Sequence, residues 1–246
     1  MKHSAEHPFY TFPHARNPEN SVHDMHLLEE RYHTEDAILD AVSHGNAQQA
    51  LAVLERMSEF AITPRSDNKL RNNKNLLITL NSLMRRTVYE AGVHPFYIDA
   101  FSTNYAILIE QCDSFDDLAD IIPYMVKSYC RLVEQKSLSN YSAPVRQIIV
   151  TVDSSLDSDL SLKRFAGDLF LNTSYLSNLF KKEVGSTLTE YVNHHRVDYA
   201  KKLLKSTNLS IQDIAVQSGI PDIHYFTRLF RRETGISPRE WRKQNS

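Results

Sequence analysis

Glycine and cysteine are scarce in this sequence, with 6 glycines and 2 cysteines among 246 residues. The alternation of apolar and polar residues that marks half-buried strands is also rare, whereas apolar residues often recur at helical spacing. These features predict an all-α fold. The two cysteines, Cys112 and Cys130, cannot form a disulfide framework and fit a reducing compartment. They are either two small core residues or a redox pair.

Long apolar runs are missing as well. No stretch approaches the roughly 20 apolar residues of a membrane-spanning helix, and residues 1–10 lack the hydrophobic core of a signal peptide. The sequence therefore predicts a cytoplasmic protein without a membrane partner. A phosphate-binding glycine loop, a telling pair of carboxylates and a nucleophile motif are all absent. We therefore expect neither an enzyme nor a bound cofactor.

Acidic and basic residues are distributed unevenly along the chain, although the net charge is only −2. Residues 141–246 hold 15 Lys and Arg against 11 Asp and Glu, a charge of +4. Residues 1–140 hold 13 against 19, a charge of −6. An acidic half joined to a basic half indicates that only the second half contacts phosphate groups.

Proline and polar clusters divide the chain into three parts. Residues 1–20 contain three prolines and are predicted to be irregular. Residues 21–137 show several helical periods and are predicted to form one helical domain. The stretch from Ser137 to Pro144 is polar, which places a domain boundary there. Residues 138–246 are then a second domain.

Several local signals predict where helices end. Gly45 stops the first helix of a hairpin, Gly92 ends the helix that precedes it, and Ser114 caps the next helix. Pro123 lies inside an apolar helical pattern and predicts a kink or a break. Residues 145–152 are β-branched and could form a lone strand, but we favour a helix because nothing nearby offers a pairing partner.

An internal repeat dominates the second domain. The eleven residues Tyr175–Gly185 correspond to Tyr225–Gly235, fifty residues later, and ten of the eleven positions are identical or of the same chemical type. The exception is Asn178, which corresponds to Arg228. Upstream of each copy lies a short apolar helix with an alanine, followed by a turn. The second copy has one extra residue between these features.

Each copy therefore predicts a helix, a turn and a second helix. In copy one the first helix ends near Leu169, and Asn172 can cap the second helix. In copy two Gly219 permits a tight turn, and Pro221 with Asp222 suits a helix start. The two units span about residues 160–183 and 209–233.

The second helix of each copy has an apolar and a polar face. The apolar stripe consists of Tyr175, Leu176, Leu179 and Phe180 in copy one, and of Tyr225, Phe226, Leu229 and Phe230 in copy two. We expect both tyrosines to pack in the core rather than to stack on bases. The opposite face is polar and partly cationic, which is what a helix that reads the major groove of DNA needs.

Residues 142–244 resemble the DNA-binding domain of the AraC/XylS family of bacterial regulators. The resemblance is strongest from Ile214-Ala215 through Gly219, at Phe226 and Phe230, and over Gly235-Ile236-Ser237-Pro238-Arg239-Glu240-Trp241-Arg242. Three positions depart from the family pattern and affect the turns. Ile220 stands where the family usually has Phe, Phe170 where a turn glycine is common, and Pro221 is unusual.

The resemblance implies two helix-turn-helix subdomains that are joined by one long helix, about Leu188–Ser206, and that enter successive major-groove segments of double-stranded DNA. It implies base contacts from Ser174, Ser177, Asn178, Ile223, His224, Thr227 and Arg228. Phosphate contacts are expected from Lys181, Lys182, Arg196, Arg231, Arg232 and Arg239. Ile223 could only touch a thymine methyl group. RNA polymerase is a further expected partner.

The first domain lacks the strands of the β-barrel that many AraC-type regulators carry, and is similar to the all-helical regions of some others. We expect it to form a homodimer and to bind a small-molecule or protein effector. Seven histidines lie at positions up to 44, but without convergent further ligands we expect no metal site. Aromatic residues could line a ligand pocket, although a core role is the simpler interpretation: Tyr89, Phe96, Tyr97, Phe101, Tyr105, Tyr124 and Tyr129. The alternative function is a protein-interaction adaptor without specific DNA readout.

Overall fold

The computed structural model describes residues 21–57 and 67–245, and all regular structure within these ranges is helical. The predicted all-α fold is confirmed. The expected irregular segment 1–20 lies outside the described residues. The chain divides into an N-terminal unit, Met1–Ser139, and a C-terminal unit, Asn140–Ser246. Within the described ranges, no helix is both long enough and apolar enough to cross a membrane.

Five helices form the described part of the N-terminal unit: α1 Ser21–Ser43, α2 Ala47–Met57, α3 Lys69–Glu90, α4 Pro95–Gln111 and α5 Phe115–Lys136. The first two form the predicted hairpin. The amide of Gly45 donates to Val42 O at 3.0 Å, and the amide of Asn46 donates to Ala41 O at 2.8 Å. These bonds satisfy the last carbonyl groups of α1 and end it at the predicted glycine.

Helix α5 forms the centre of this unit. Ser114 caps it, since its Oγ accepts a hydrogen bond from the amide of Asp117 at 3.1 Å. The break that we considered at Pro123 does not occur, because α5 continues from Phe115 to Lys136. Its apolar face is buried on both sides of the proline, at Leu118 and at Met125. Burial of that face offsets the loss of one backbone hydrogen bond.

A buried polar network joins α3, α4 and α5. The hydroxyl of Tyr129 donates to Asn81 Oδ1 at 2.7 Å, and Asn81 Nδ2 donates to the carbonyl oxygen of Ser102 at 2.9 Å. Burial raises the pKa of Tyr129 to about 12. The core role expected for the aromatic residues is thus correct for Tyr129. It is wrong for Tyr124, Tyr89 and Phe96, which are 67%, 49% and 47% exposed.

The two cysteines are core residues. Both Cys112 and Cys130 are free thiols and buried. Burial raises the pKa of both thiols, and that of Cys130 to about 11. Because the thiolate is the reactive species, neither cysteine is set up for nucleophilic or redox chemistry.

The end of the N-terminal unit is held against the turn between α3 and α4. Val93 and Ser137 form an isolated antiparallel bridge, and the amide of Leu138 donates to Gly92 O at 3.0 Å. A Cβ atom on Gly92 would lie 2.9 Å from Cβ of Ser139. This close approach fixes where the chain leaves α5.

Seven helices form the described part of the C-terminal unit: α6 Ala143–Ser154, α7 Leu162–Asp168, α8 Thr173–Val184, α9 Leu188–Ser206, α10 Ile211–Gln217, α11 Ile223–Thr234 and α12 Pro238–Asn245. Residues 145–152 lie in α6, so the preference for a helix there was correct. The pairs α7–α8 and α10–α11 are the two predicted helix-turn-helix units. Helix α9 has the predicted limits and packs against both units.

Candidate nucleic-acid interface

The second helices of the two copies, α8 and α11, begin with the same cap. Asn172 Oδ1 accepts hydrogen bonds from the amides two and three residues further on, at 2.8 and 3.3 Å. Asp222 Oδ1 accepts the equivalent bonds at 2.9 and 3.1 Å. The extra residue of copy two, Pro221, is accommodated just before this cap, so it leaves the start of α11 unchanged.

The turns that precede these two caps also share the same backbone geometry. The amide of Leu171 donates to Ala166 O at 2.9 Å, and the amide of Ile220 donates to Ala215 O at 2.9 Å. Both turns pass through a left-handed residue, Phe170 with φ of 54° and Gly219 with φ of 75°. The departures from the family pattern therefore leave the turn intact.

The surroundings of the two left-handed residues differ. The Phe170 side chain is 96% exposed, so its ring contributes little to packing. At Gly219 an added Cβ atom would overlap the carbonyl oxygen of Leu156 and lie 2.8 Å from Nε of Arg196. The turn at Gly219 is thus covered by Leu156 and Arg196, whereas the Phe170 side chain is left in solvent.

The repeat continues past the eleven residues, as the match of Tyr191 with Trp241 in the sequence already indicates. Helices α8 and α11 both end at a glycine with φ of 84°. Each is followed by a capping box, in which Thr187 pairs with Glu190 and Ser237 pairs with Glu240. Sequence reasoning missed this second match, although Thr-x-x-Glu and Ser-x-x-Glu are the signals that identify it.

The back of each second helix is buried. Leu176 and Phe180 of α8 are fully buried, as are Phe226 and Phe230 of α11. The ring of Phe180 meets that of Tyr191 edge-on at 5.5 Å, and Phe230 meets Trp241 in the same way at 6.4 Å. These aromatic contacts fix each helix on the residues that follow it.

The tyrosines at the start of this stripe are not core residues, which corrects the expectation for Tyr175 and Tyr225. Their side chains are 55% and 39% exposed, respectively. Both lie at the edge of the stripe, and a tyrosine can leave its hydroxyl in solvent there. The Tyr225 hydroxyl also accepts a hydrogen bond from Asn193 Nδ2 of α9 at 3.3 Å.

The front of each helix carries the polar residues. Four of the residues predicted to contact bases are exposed: Ser174, Asn178, His224 and Arg228. The remaining three are half-buried: Ser177, Ile223 and Thr227. The hydroxyl of Thr227 donates to Ile223 O at 2.8 Å, so towards DNA its oxygen can act only as an acceptor.

The predicted phosphate-binding cations fall into two groups. Five are exposed: Lys181, Lys182, Arg231, Arg232 and Arg239. Arg232 is also bonded to its neighbour, since its Nη2 donates to Glu233 Oε1 at 3.0 Å. The sixth, Arg196, is half-buried. The exposed cations lie in the last turns of α8 and α11 and in the first turn of α12.

The structure shows two hydrogen bonds of Arg196 that the sequence did not predict. Its Nε donates to Leu156 O at 3.1 Å, and its Nη2 donates to Ser158 O at 3.2 Å. Burial lowers the pKa of this guanidinium. Arg196 therefore holds the segment before α7 against the turn at Gly219.

Three carboxylates that cap helices have lowered pKa values. Hydrogen bonds from the amides of Tyr225 and His224 lower the pKa of Asp222. Hydrogen bonds from the residues that share their capping boxes lower the pKa values of Glu190 and Glu240. A lowered pKa in the folded state means that the charged carboxylate stabilises the fold above its unfolded pKa.

We expect the thermal stability of the C-terminal unit to fall as the pH drops below the ordinary pKa values of Asp and Glu, 3.8 and 4.5. The loss continues as the pH passes through the lower folded pKa values. Asp222→Asn should retain both cap bonds but lose part of this acid sensitivity, because copy one already uses the neutral Asn172. Melting temperatures between about pH 2.5 and 6 would test this. Identical acid profiles for the variant and the parent protein would contradict it.

Comparison with known proteins matches residues 165–244 to a family described as a helix-turn-helix domain. The HTH-type transcriptional regulator YijO of Escherichia coli K12 is 34% identical over 129 residues, which is 51% of this chain and 46% of that protein. The HTH-type transcriptional activator RhaR of the same strain is 34% identical over 100 residues, 41% of this chain and 36% of that protein. Both relatives are named as transcriptional regulators, in agreement with the predicted absence of enzyme function.

A solved structure with a similar sequence is the C-terminal domain of AraT, a response regulator from Geobacillus stearothermophilus. It is 32% identical, with a TM-score of 0.41, and the match covers 42% of this chain and 86% of that one. The chain spans less than half the length of the two curated relatives. Residues 165–244 of its C-terminal unit thus match a helix-turn-helix domain, and the similar relatives are named as transcriptional regulators.

Proposed function

We propose that this protein is a sequence-specific transcription regulator that reads two successive major-groove segments with α8 and α11. The observation that carries the proposal is the match between the two copies in cap, turn, buried back and glycine end. Because of this match, α8 and α11 have the same backbone geometry at both ends, and each leaves its polar face accessible to a ligand. A helix of this kind, supported from behind, suits the major groove.

The proposed division of labour follows from where each side chain lies. Base contacts would come from the fronts of the two helices: Ser174, Ser177 and Asn178 of α8, and Ile223, His224, Thr227 and Arg228 of α11. Phosphate contacts would come from the five exposed cations at the helix ends. Phosphate contacts position the protein, and base contacts provide the sequence preference.

The N-terminal unit would supply dimerisation and effector sensing. A dimer would give avidity on repeated sites, and we expect a homodimer by light scattering at tens of micromolar protein. A protein that remains monomeric at that concentration would exclude this role. RNA polymerase is the proposed protein partner. The protein would bind both the polymerase and DNA in the cytoplasm.

Duplex DNA binding by the full chain should depend strongly on salt. Five phosphate contacts predict a slope of about −4.5 for log K against log salt. Arg231→Gln should reduce the magnitude of the slope by about one, since it removes one released counterion. The matched control is Lys127→Gln in the N-terminal unit, which should leave the slope unchanged. A flat response to salt would favour the protein-interaction adaptor instead.

A further inference from the structure

A cavity of about 520 Å³ lies between the first turns of α4 and the last turns of α5. Its walls include the rings of Phe96, Tyr97 and Phe101 and the side chain of Leu132. Phe96 is 47% exposed, so an apolar ring is left in solvent at this site. The volume falls within the range of small-molecule sites, about 300–1,000 Å³, and such sites are mostly apolar.

The charged residues that line this cavity are both cations. Arg131 is exposed, and no ion pair is found for it among residues 21–57 and 67–245. Lys136 lies with its Nζ 4.7 Å from the centre of the Tyr97 ring, which keeps the ammonium at the wall. Ser128 and Gln135 add neutral polar groups on the same face of α5. None of the described residues that line the cavity is a carboxylate.

We propose that this cavity binds a small organic anion with a flat apolar body. The aromatic walls would cover the body of the ligand, as in other apolar sites. The Arg131 guanidinium would hold a carboxylate or sulfonate through charge-assisted hydrogen bonds. Among the described lining residues there is no acidic group that would repel the anion.

The position of the cavity gives the ligand a route to the rest of the chain. Phe96 and Tyr97 lie three and four residues after Val93, which is bridged to Ser137 just beyond the end of α5. A bound ligand could change the distance between the start of α4 and the end of α5. Such a change would alter the bridge between Val93 and Ser137 and the hydrogen bond from the amide of Leu138. An effect of the ligand on DNA affinity rests on the proposed function, whereas its binding does not.

The test uses two fluorescent probes and the full chain. 8-Anilino-1-naphthalenesulfonate is an aromatic anion, and N-phenyl-1-naphthylamine has the same ring system without the charge. Arg131→Gln should lower the affinity for the anionic probe about fivefold and leave the affinity for the neutral probe unchanged. Ala100 also lines the cavity and is exposed, so the ring of Ala100→Phe would fill part of the space. This variant should lower the affinity for both probes at least about tenfold. Lys127→Gln, on the same helix but outside the cavity, is the matched control and should change neither.

Folding of each variant would be checked by circular dichroism melting, so that a loss of binding reports on the site. The proposal is overturned if the parent protein does not bind the anionic probe, or if Ala100→Phe leaves both probes bound. An equal effect of Arg131→Gln on the two probes would remove the anionic ligand class. The hydrogen-exchange rate of the Leu138 amide should change when the anion binds, and an unchanged rate would contradict the route through the bridge. DNA binding is measured separately, so its failure would leave the cavity result intact.

Discussion

Gly219→Ala is expected to lower the free energy of unfolding of the C-terminal unit by about 3 kcal/mol. The left-handed backbone at this residue costs a non-glycine residue about 1–2 kcal/mol. The added Cβ atom must also displace the carbonyl of Leu156 or the guanidinium of Arg196, and such overpacking typically costs about 1–3 kcal/mol. Urea denaturation, with the midpoint followed by circular dichroism, would measure the loss.

Two other positions provide controls for this result. Gly185 has the same left-handed backbone, but an added Cβ atom there meets nothing within 4 Å, so Gly185→Ala should cost only about 1 kcal/mol. Phe170→Gly should stabilise the protein by about 1 kcal/mol, and Phe170→Ala should have little effect because the ring is exposed. Equal losses at Gly185 and Gly219 would contradict the role assigned to Leu156 and Arg196.

Arg228→Ala is expected to relax the base preference at one position of one half-site. An arginine that grips guanine O6 and N7 provides about 1–3 kcal/mol of discrimination, roughly 5- to 150-fold. The equivalent residue of α8, Asn178, prefers adenine. The two half-sites should therefore differ in sequence. Binding-site selection on the parent protein and the variant would show the change.

The control for this prediction removes a cation from the end of the same helix. Arg231→Ala should weaken binding to all sequences about equally, as the loss of a phosphate contact does. It suits this purpose better than Arg232, whose guanidinium is shared with Glu233. If Arg228→Ala lowers affinity but leaves the selected motif unchanged, Arg228 contacts phosphate and does not read a base.

Local chemistry made much of the DNA-reading region predictable. The caps at Asn172 and Asp222, the turn at Gly219 and the buried Phe180 and Phe230 all follow from interactions within a few residues or from helical spacing. These features repeat in the sequence, so each copy supports the interpretation of the other. The predicted helix break at Pro123 does not occur. Burial of the apolar face of α5 on both sides of the proline outweighs the helix-breaking tendency of that residue.

Contacts between distant segments were not predictable in the same way. For Arg196 the resemblance implied only a phosphate contact. The structure adds hydrogen bonds to Leu156 and Ser158, which lie about 40 residues earlier in the chain. The exposure of Tyr175 was not predictable for a similar reason. Helical spacing shows which residues form the apolar face of α8, but it does not show how much of that face other helices cover.

The attachment of α9 to both copies has a consequence for any operator. Helix α9 is 19 residues long and is tied to the segment before α7 by Arg196 and to α11 by Asn193. Inserting one base pair between two half-sites rotates one against the other by roughly 35°, since a turn of DNA holds about 10–10.5 base pairs. The contacts of α9 with both copies oppose that rotation. Operators of a protein built in this way can vary in their bases, but the phase between their two halves has to stay constant.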